Sequence, residues 1–252
     1  MTAVLVIAGT DSSGGAGLTR DVATLTHFGV EALCAVTAVT AQSDAAVVTV
    51  ERLPAATVRE QIATALATGR VAAIKTGMLA GRDIVEAVAA ATPPRELVPL
   101  IVDPVVAATS GGELLDDAGR EALCTRLLPR ATLLTPNLME AAALLDTAVA
   151  TSEEEIVAQG RALCALGAAA VLMKGGHTGG ALASDWLVAA DGRVRQLTAP
   201  RVDAQRRGTG CALAAAIAAG LATGLALDAA CTQAKTHVTE LLQQARRQQA
   251  TA

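Results

Sequence analysis

The residues best equipped for chemistry are Gly208, Thr209, Gly210 and Cys211, because they open a long run of small residues, Ala212 to Ala219, that reads as a helix. Gly210 and Cys211 fall in its first turn, where free N–H groups and the positive end of the helix dipole form an anion site. A thiol in that field is expected to have a lowered pKa. Phosphate held beside a reactive group is the arrangement a kinase needs. The same residues read equally well as a Gly-Thr turn capping a buried helix, with Cys211 as a small core residue.

Further polar clusters carry the same double reading. Gly9 to Gly17 is a glycine-rich strand-to-helix loop. It has no third glycine spaced for a dinucleotide fingerprint, and no Lys follows Gly14 or Gly15 as a P-loop requires. Its backbone can approach a small ligand closely, with Asp21 one helical turn further on, or it is a plain tight turn. Asn137 and Glu140 follow Pro136 with the spacing of a capping box, or they place Glu140 near a metal-bound phosphate. Asp103 before Pro104 is a strand-end turn residue or a magnesium contact. Lys174, followed by Gly175, Gly176 and His177, is a solvated strand-end cation or a phosphate contact. Gln42 ends a buried-looking strand, where its amide must find partners.

These clusters need a scaffold that brings them together. Continuous apolar runs at 4–8, 32–36, 47–50, 72–74, 100–102, 133–134, 170–173 and 186–188 read as strands. Between them, 18–28, 58–66, 84–91, 116–127, 138–145 and 156–166 read as helices, with two more at the end. Strand–helix alternation with unbroken apolar strands predicts an α/β fold, a mostly parallel sheet covered on both faces. In such sheets chemistry collects at the carboxyl ends of the strands, and the polar clusters follow strand runs. No repeat and no long linker interrupts the pattern, so residues 1–252 read as one domain, in keeping with the roughly 200–250 residues of such folds.

Composition excludes other classes. With one Phe, one Trp, no Tyr and a net charge of −4, the chain has neither the stacking aromatics nor the basic surface of a nucleic-acid reader. Cys34, Cys124, Cys164, Cys211 and Cys231 form no Cys-x-x-Cys pair, which argues against structural zinc and a disulfide scaffold and suits a reducing cytoplasm. The N-terminal apolar run has no basic flank and is too short for a signal peptide or a membrane span.

Taken together, the clusters have the order and spacing of one family. From Val4 to about His237 the chain resembles the bacterial hydroxymethylpyrimidine and hydroxymethylpyrimidine-phosphate kinases of thiamine biosynthesis, in the ribokinase-like superfamily. The matching segments are 7–17, 37–42, 75–79, 102–105 with Ser110 and Gly111, 134–145, 171–177 and 208–211. The resemblance implies a ribokinase-like fold and ATP- and Mg2+-dependent phosphorylation of 4-amino-5-hydroxymethyl-2-methylpyrimidine, then of its monophosphate. It implies that Gln42 reads the aminopyrimidine edge, that Met78 and Val105 wall the pocket, and that Gly9 and Asp21 line the substrate loop. Lys174 and Asn137 become phosphate-side residues, and Asp103 and Glu140 metal-side residues. Cys211 becomes the catalytic group beside an anion hole formed by Gly208, Thr209 and Gly210. A homodimer follows from the same resemblance.

Two departures from the family pattern stand out. Arg206 and Arg207 precede Gly208 where relatives commonly carry Thr-His, and the pair is expected to add positive charge at the phosphate site. Relatives often end in a Gly-rich tail with a late Pro and His, whereas this sequence has a polar helix from Gln243 to Ala252, which bears on pocket closure and the second phosphorylation. The rival readings are pyridoxal kinase, whose substrate lacks the donor–acceptor pair that Gln42 would read, and an inactive pyrimidine-binding sensor, against which Cys211, Lys174 and Asp103 argue.

Overall fold

A strand covered on both faces must be apolar at every position, and Ala3–Ala8 (β1) meets that demand with all six residues buried. The structure is a computed structural model and describes residues 2–43, 45–107, 112, 114–175 and 180–249. In it, β1 pairs in parallel with Glu31–Val36 (β2) on one side and Val71–Thr76 (β5) on the other. Parallel pairing continues through Leu100–Val102 (β6), Leu133–Leu134 (β7) and Ala170–Lys174 (β8). Antiparallel Leu182–Ala189 (β9) and Val194–Pro200 (β10) complete an eight-stranded sheet.

The pleat sends alternate residues to opposite layers. Leu5 and Ile7 join the core beneath helices Ala55–Leu66 (α2), Arg82–Ala91 (α3), Leu138–Leu145 (α5) and Glu153–Ala165 (α6), while Val4, Val6 and Ala8 face Gly17–His27 (α1), Thr209–Ala222 (α7) and Leu227–Gln249 (α8). Helix α7 is buried without interruption from Ala212 to Gly220, because it is wedged between the sheet and its neighbours α1 and α8. Only small side chains fit there: a Cβ on Gly220 would come within 2.9 Å of the Ala230 Cβ.

Three sequence expectations are corrected. The run at 47–50 does not join the main sheet: Val47–Arg52 (β4) pairs antiparallel with Ala38–Gln42 (β3) in a separate two-stranded sheet. Thr49, Glu51 and Arg52 are exposed, and a strand with that many polar residues cannot be covered on both faces. The sequence reading passes over β10, since Leu197 is its one buried residue and the strand closes the sheet edge. The helix expected at 116–127 is α-helical only over Asp117–Ala122 (α4). It widens into a π turn at Leu123–Leu127 and ends in a 3-10 turn, Leu128–Arg130, at Pro129, which has no N–H to donate.

Candidate active site

Strands β1, β5, β6, β7 and β8 all end at the same edge, and the first turn of α7 points its N–H groups at it. Gly208 enters the helix at φ +75°, a conformation open to glycine. A Cβ there would also lie 2.3 Å from the Gly15 carbonyl oxygen, so the turn rests directly on the glycine-rich loop. Gly210 gives the turn its second contact. A Cβ on it would lie 3.3 Å from Lys174 Nζ and 3.8 Å from Asp103 Oδ2, which puts the expected anion hole beside the expected phosphate and metal residues.

Lys174, at the end of β8, holds these carboxylates together. Its Nζ lies 3.2 Å from Asp103 Oδ1 and 3.5 Å from Glu140 Oε2. The Thr135 hydroxyl also donates to Asp103 Oδ1 at 3.3 Å. Burial raises the Glu140 carboxyl above its ordinary range, against the pull of Lys174. The same burial disfavours the Lys174 charge, but Asp103 and Glu140 outweigh it and hold the ammonium above its usual value. Asn137 and Glu140 form a full capping box at the start of α5: the Glu140 N–H donates to Asn137 Oδ1 at 2.8 Å and the Asn137 N–H to Glu140 Oε2 at 2.7 Å. Glu140 therefore both caps the helix and contacts Lys174.

Cys211 stands in the first turn of α7 as expected, partly buried, but its electrostatics are reversed. Burial pushes the thiol up to about 11, against the favourable field of Lys75 and a hydrogen bond from the Gly17 N–H, with Asp21 and Asp103 adding to the rise. Desolvation and two nearby carboxylates outweigh the Lys75 charge and the Gly17 hydrogen bond. The expectation of a lowered thiol pKa is corrected accordingly.

Asp21, expected to line the substrate loop, has no exposed surface and accepts from Lys75 Nζ at 2.7 Å. Burial raises the Asp21 carboxyl to about 6 against the pull of Lys75. For Lys75, burial opposes the charge, and Asp21, Cys211 and Asp103 more than compensate. The sequence alone assigns Lys75 no role. Its signal is a lysine inside the apolar run of β5, because a buried charge requires a partner.

On the substrate side, Gly9 lies against Met78, whose sulfur would sit 3.0 Å from a Gly9 Cβ. Met78 packs with Ala38 and Ala80, and Val105 borders the same cluster. A cavity of about 180 Å³ beside it is lined by Val50, Met78, Ala80 and Leu114, with Arg52 and Asp116 among its walls. Gln42 ends β3 half-buried, not in a doubly covered strand. Its side-chain Oε1 accepts from the Thr40 hydroxyl at 3.5 Å, and its backbone N–H and carbonyl both bond the Ser12 hydroxyl at 2.8 Å. The hairpin of β3 and β4 is thereby fastened to the glycine-rich loop.

The Arg206–Arg207 pair divides. Arg206 reaches the Leu241 carbonyl of α8 at 3.4 Å, whereas Arg207 pairs with Asp11 at 3.1 Å. The expectation that both add charge at the phosphate site is corrected: one is directed to α8 and the other is matched by a carboxylate. Ser110, Gly111, Gly176 and His177 lie outside the described residues, as do Ala250, Thr251 and Ala252 beyond α8.

Comparison with known proteins shows the family. The family model for phosphomethylpyrimidine kinase matches residues 11–251. The hydroxymethylpyrimidine/phosphomethylpyrimidine kinase of Salmonella typhimurium is 46% identical over 213 residues, which cover 84% of this chain and 80% of that protein. The crystal structure of phosphomethylpyrimidine kinase from Clostridium difficile matches with a TM-score of 0.82 at 31% identity, covering 96% of this chain and 100% of the other. An ADP complex of Bacillus subtilis pyridoxal kinase matches with a TM-score of 0.85 at 32% identity, covering 94% of this chain and 89% of the other.

Proposed function

The chain belongs to the phosphomethylpyrimidine kinase family, and on that premise we propose how its residues divide the work of phosphoryl transfer. It is a hydroxymethylpyrimidine/phosphomethylpyrimidine kinase that transfers phosphate from ATP to an alcohol and then to the resulting monophosphate. The observation that carries the reading is the placing of Lys174, Asp103 and Gly210 within contact of one another at the mouth of α7. Phosphoryl transfer asks a protein for positioning and charge stabilisation more than for covalent chemistry. The N–H groups of Thr209 and Gly210 and the Lys174 ammonium receive the transferring phosphoryl group, and Asn137 offers its amide N–H groups nearby.

Asp103 and Glu140 fit Mg2+: both are oxygen donors, and Mg2+ is commonly held by one or two carboxylates together with substrate phosphates. The ion supplies charge neutralisation on those phosphates when bound. Cys211 holds the attacking hydroxyl as a neutral thiol, since its pKa of about 11 keeps the proton on sulfur at neutral pH; the hydroxyl's own proton passes to an oxygen of the transferred phosphoryl group as the new O–P bond forms and the bond to the ADP leaving group breaks. Asp21 acts beneath it by pairing with Lys75.

Gln42 reads the aminopyrimidine through its amide, with Met78 and Val105 against the ring and Gly9 allowing its close approach. The likeness to pyridoxal kinase gives the second reading, and Gln42 separates the two, because pyridoxal presents no matching donor–acceptor pair. An assay of ATP consumption with the pyrimidine, its monophosphate and pyridoxal side by side tests the assignment. Turnover of pyridoxal alone would overturn it. We further propose that the chain is one kinase domain working in the cytoplasm as a homodimer, supported by Val39 and Val48 standing 50% and 77% exposed on the hairpin. Sedimentation as a monomer would reject the dimer.

A further inference from the structure

We propose that Arg207 is a positioning residue that couples the hairpin bearing Gln42 to the anion hole, so that filling either site tightens the other. The inference rests on the kinase reading above, which places the pyrimidine at Gln42 and phosphate at Thr209 and Gly210.

The guanidinium of Arg207 joins three segments far apart in sequence. One terminal nitrogen donates to Ser13 Oγ at 2.9 Å and to the Ser43 carbonyl at 3.0 Å. The other donates to Asp11 Oδ2 at 3.1 Å. Asp11, 2% exposed in its side chain, already organises the glycine-rich loop: its Oδ1 accepts from the Ser13 N–H and hydroxyl, and its Oδ2 from the Ala16 N–H. Ser43 directly follows Gln42, whose backbone is bound to Ser12. On the other side, Arg207 is bonded in the chain to Gly208, which rests on Gly15 and starts the phosphate-facing turn. Thus the glycine-rich loop, the hairpin and the start of α7 meet at one side chain.

The matching of Arg207 by Asp11 separates this role from that of a phosphate ligand. A planar fork with several fixed donors can hold such a node, whereas lysine offers a compact point charge on a flexible stem. When pyrimidine orders the hairpin, Ser43 steadies Arg207, and through it the backbone at Gly208 to Gly210. Linkage requires the converse to hold by the same factor.

The test measures binding of a non-hydrolysable ATP analogue with and without the pyrimidine, and of the pyrimidine with and without the analogue. Calorimetry serves as readout, together with the fluorescence of Trp186, the single tryptophan, which packs against Gly175 next to Lys174. Wild-type protein should show mutual tightening of at least about fivefold, the low end of ordinary coupling. In Arg207→Ala the tightening should fall to near one, while affinity for the analogue alone shifts by less than about twofold, a change too small for a lost charged phosphate contact. Arg207→Lys and Asp11→Asn should also lose most of it, and they carry the test if the alanine variant does not fold. Full tightening in the variants would overturn the proposal. So would a salt-dependent loss of analogue affinity without pyrimidine, which marks a phosphate ligand, or a lowered Tm with coupling intact, which marks a structural tie. Wild-type turnover without mutual tightening would sink the proposal and leave the kinase reading standing; failure of wild-type protein to turn over the pyrimidine would sink both.

Discussion

The protonation of Cys211 decides between two mechanisms, and its energetics can be worked out from the structure. Drawing the proton from a thiol of pKa about 11 at pH 7.5 costs about 5 kcal/mol at ~1.36 kcal/mol per pH unit. A positioned general base typically contributes 10²- to 10⁴-fold, or roughly 3–5 kcal/mol. Forming the thiolate therefore consumes about all that a thiolate base could return, and the negative charge of bound ATP pushes the pKa higher still. The neutral thiol route predicts a flat kcat between pH 7 and 9, and a loss in Cys211→Ala of about tenfold, or ~1.4 kcal/mol, the scale of one neutral hydrogen bond. Cys211→Ser should keep most of the activity. Iodoacetamide, which reacts with the thiolate, should label exposed Cys34 before Cys211, even though burial raises Cys34 too. Labelling of Cys211 should climb about tenfold per pH unit. A kcat that climbs at the same slope, or a Cys211→Ala variant slower by 10³ or more, would show a thiolate base and refute this reasoning.

Three further substitutions probe the rest of the site. Gln42→Leu leaves polar groups of the pyrimidine unpaired, at about 1–3 kcal/mol, so kcat/KM for the pyrimidine should fall roughly 5- to 150-fold while pyridoxal is unaffected; equal losses on both would remove Gln42 from recognition. Lys174→Met removes the cation shared by Asp103 and Glu140 and should lower kcat by about 10²–10³. A loss below about tenfold in steady-state kinetics would make Lys174 a structural tie between the two carboxylates. Asn137→Ala removes the cap of α5 and should cost about 1 kcal/mol of stability in denaturant titration, and KM for ATP should rise with it. An unmoved KM would leave Asn137 as a cap alone.

The parts of the fold that local pattern determines are legible in the sequence. β1, β5, β6 and β8 are apolar runs because they are covered on both faces, and the order of their loops along the chain places the site. β10 is hidden because one buried residue, Leu197, is no periodic signal. The hairpin is hidden for a different reason. Val47–Arg52 has strand chemistry, but nothing local says that it pairs with β3 rather than with the main sheet, and Thr37, where β2 passes into β3, is held by remote groups: its hydroxyl donates to the Met78 carbonyl at 2.6 Å and its N–H to the Ala8 carbonyl. Both partners are distant in sequence.

The same distinction explains why candidate site residues can be proposed from sequence while their electrostatics cannot be read there. A helix N-terminus is a local feature, and it suggests a thiolate at Cys211. The burial and carboxylates that reverse that suggestion come from Asp21 on α1 and Asp103 after β6, packed around one sulfur by the sheet. Lys75 shows the converse. Within β5 it is an unexplained charge in an apolar strand, and it becomes intelligible when α1 brings Asp21 to within 2.7 Å. Arg207 repeats the pattern at the surface, where its meaning depends on Asp11, 196 positions away. A buried pair that loses one partner is strongly destabilised, because the remaining charge is uncompensated. Asp21 and Lys75 therefore bind α1 to β5. The candidate site keeps its geometry through charges paired across the sheet as well as through its loops.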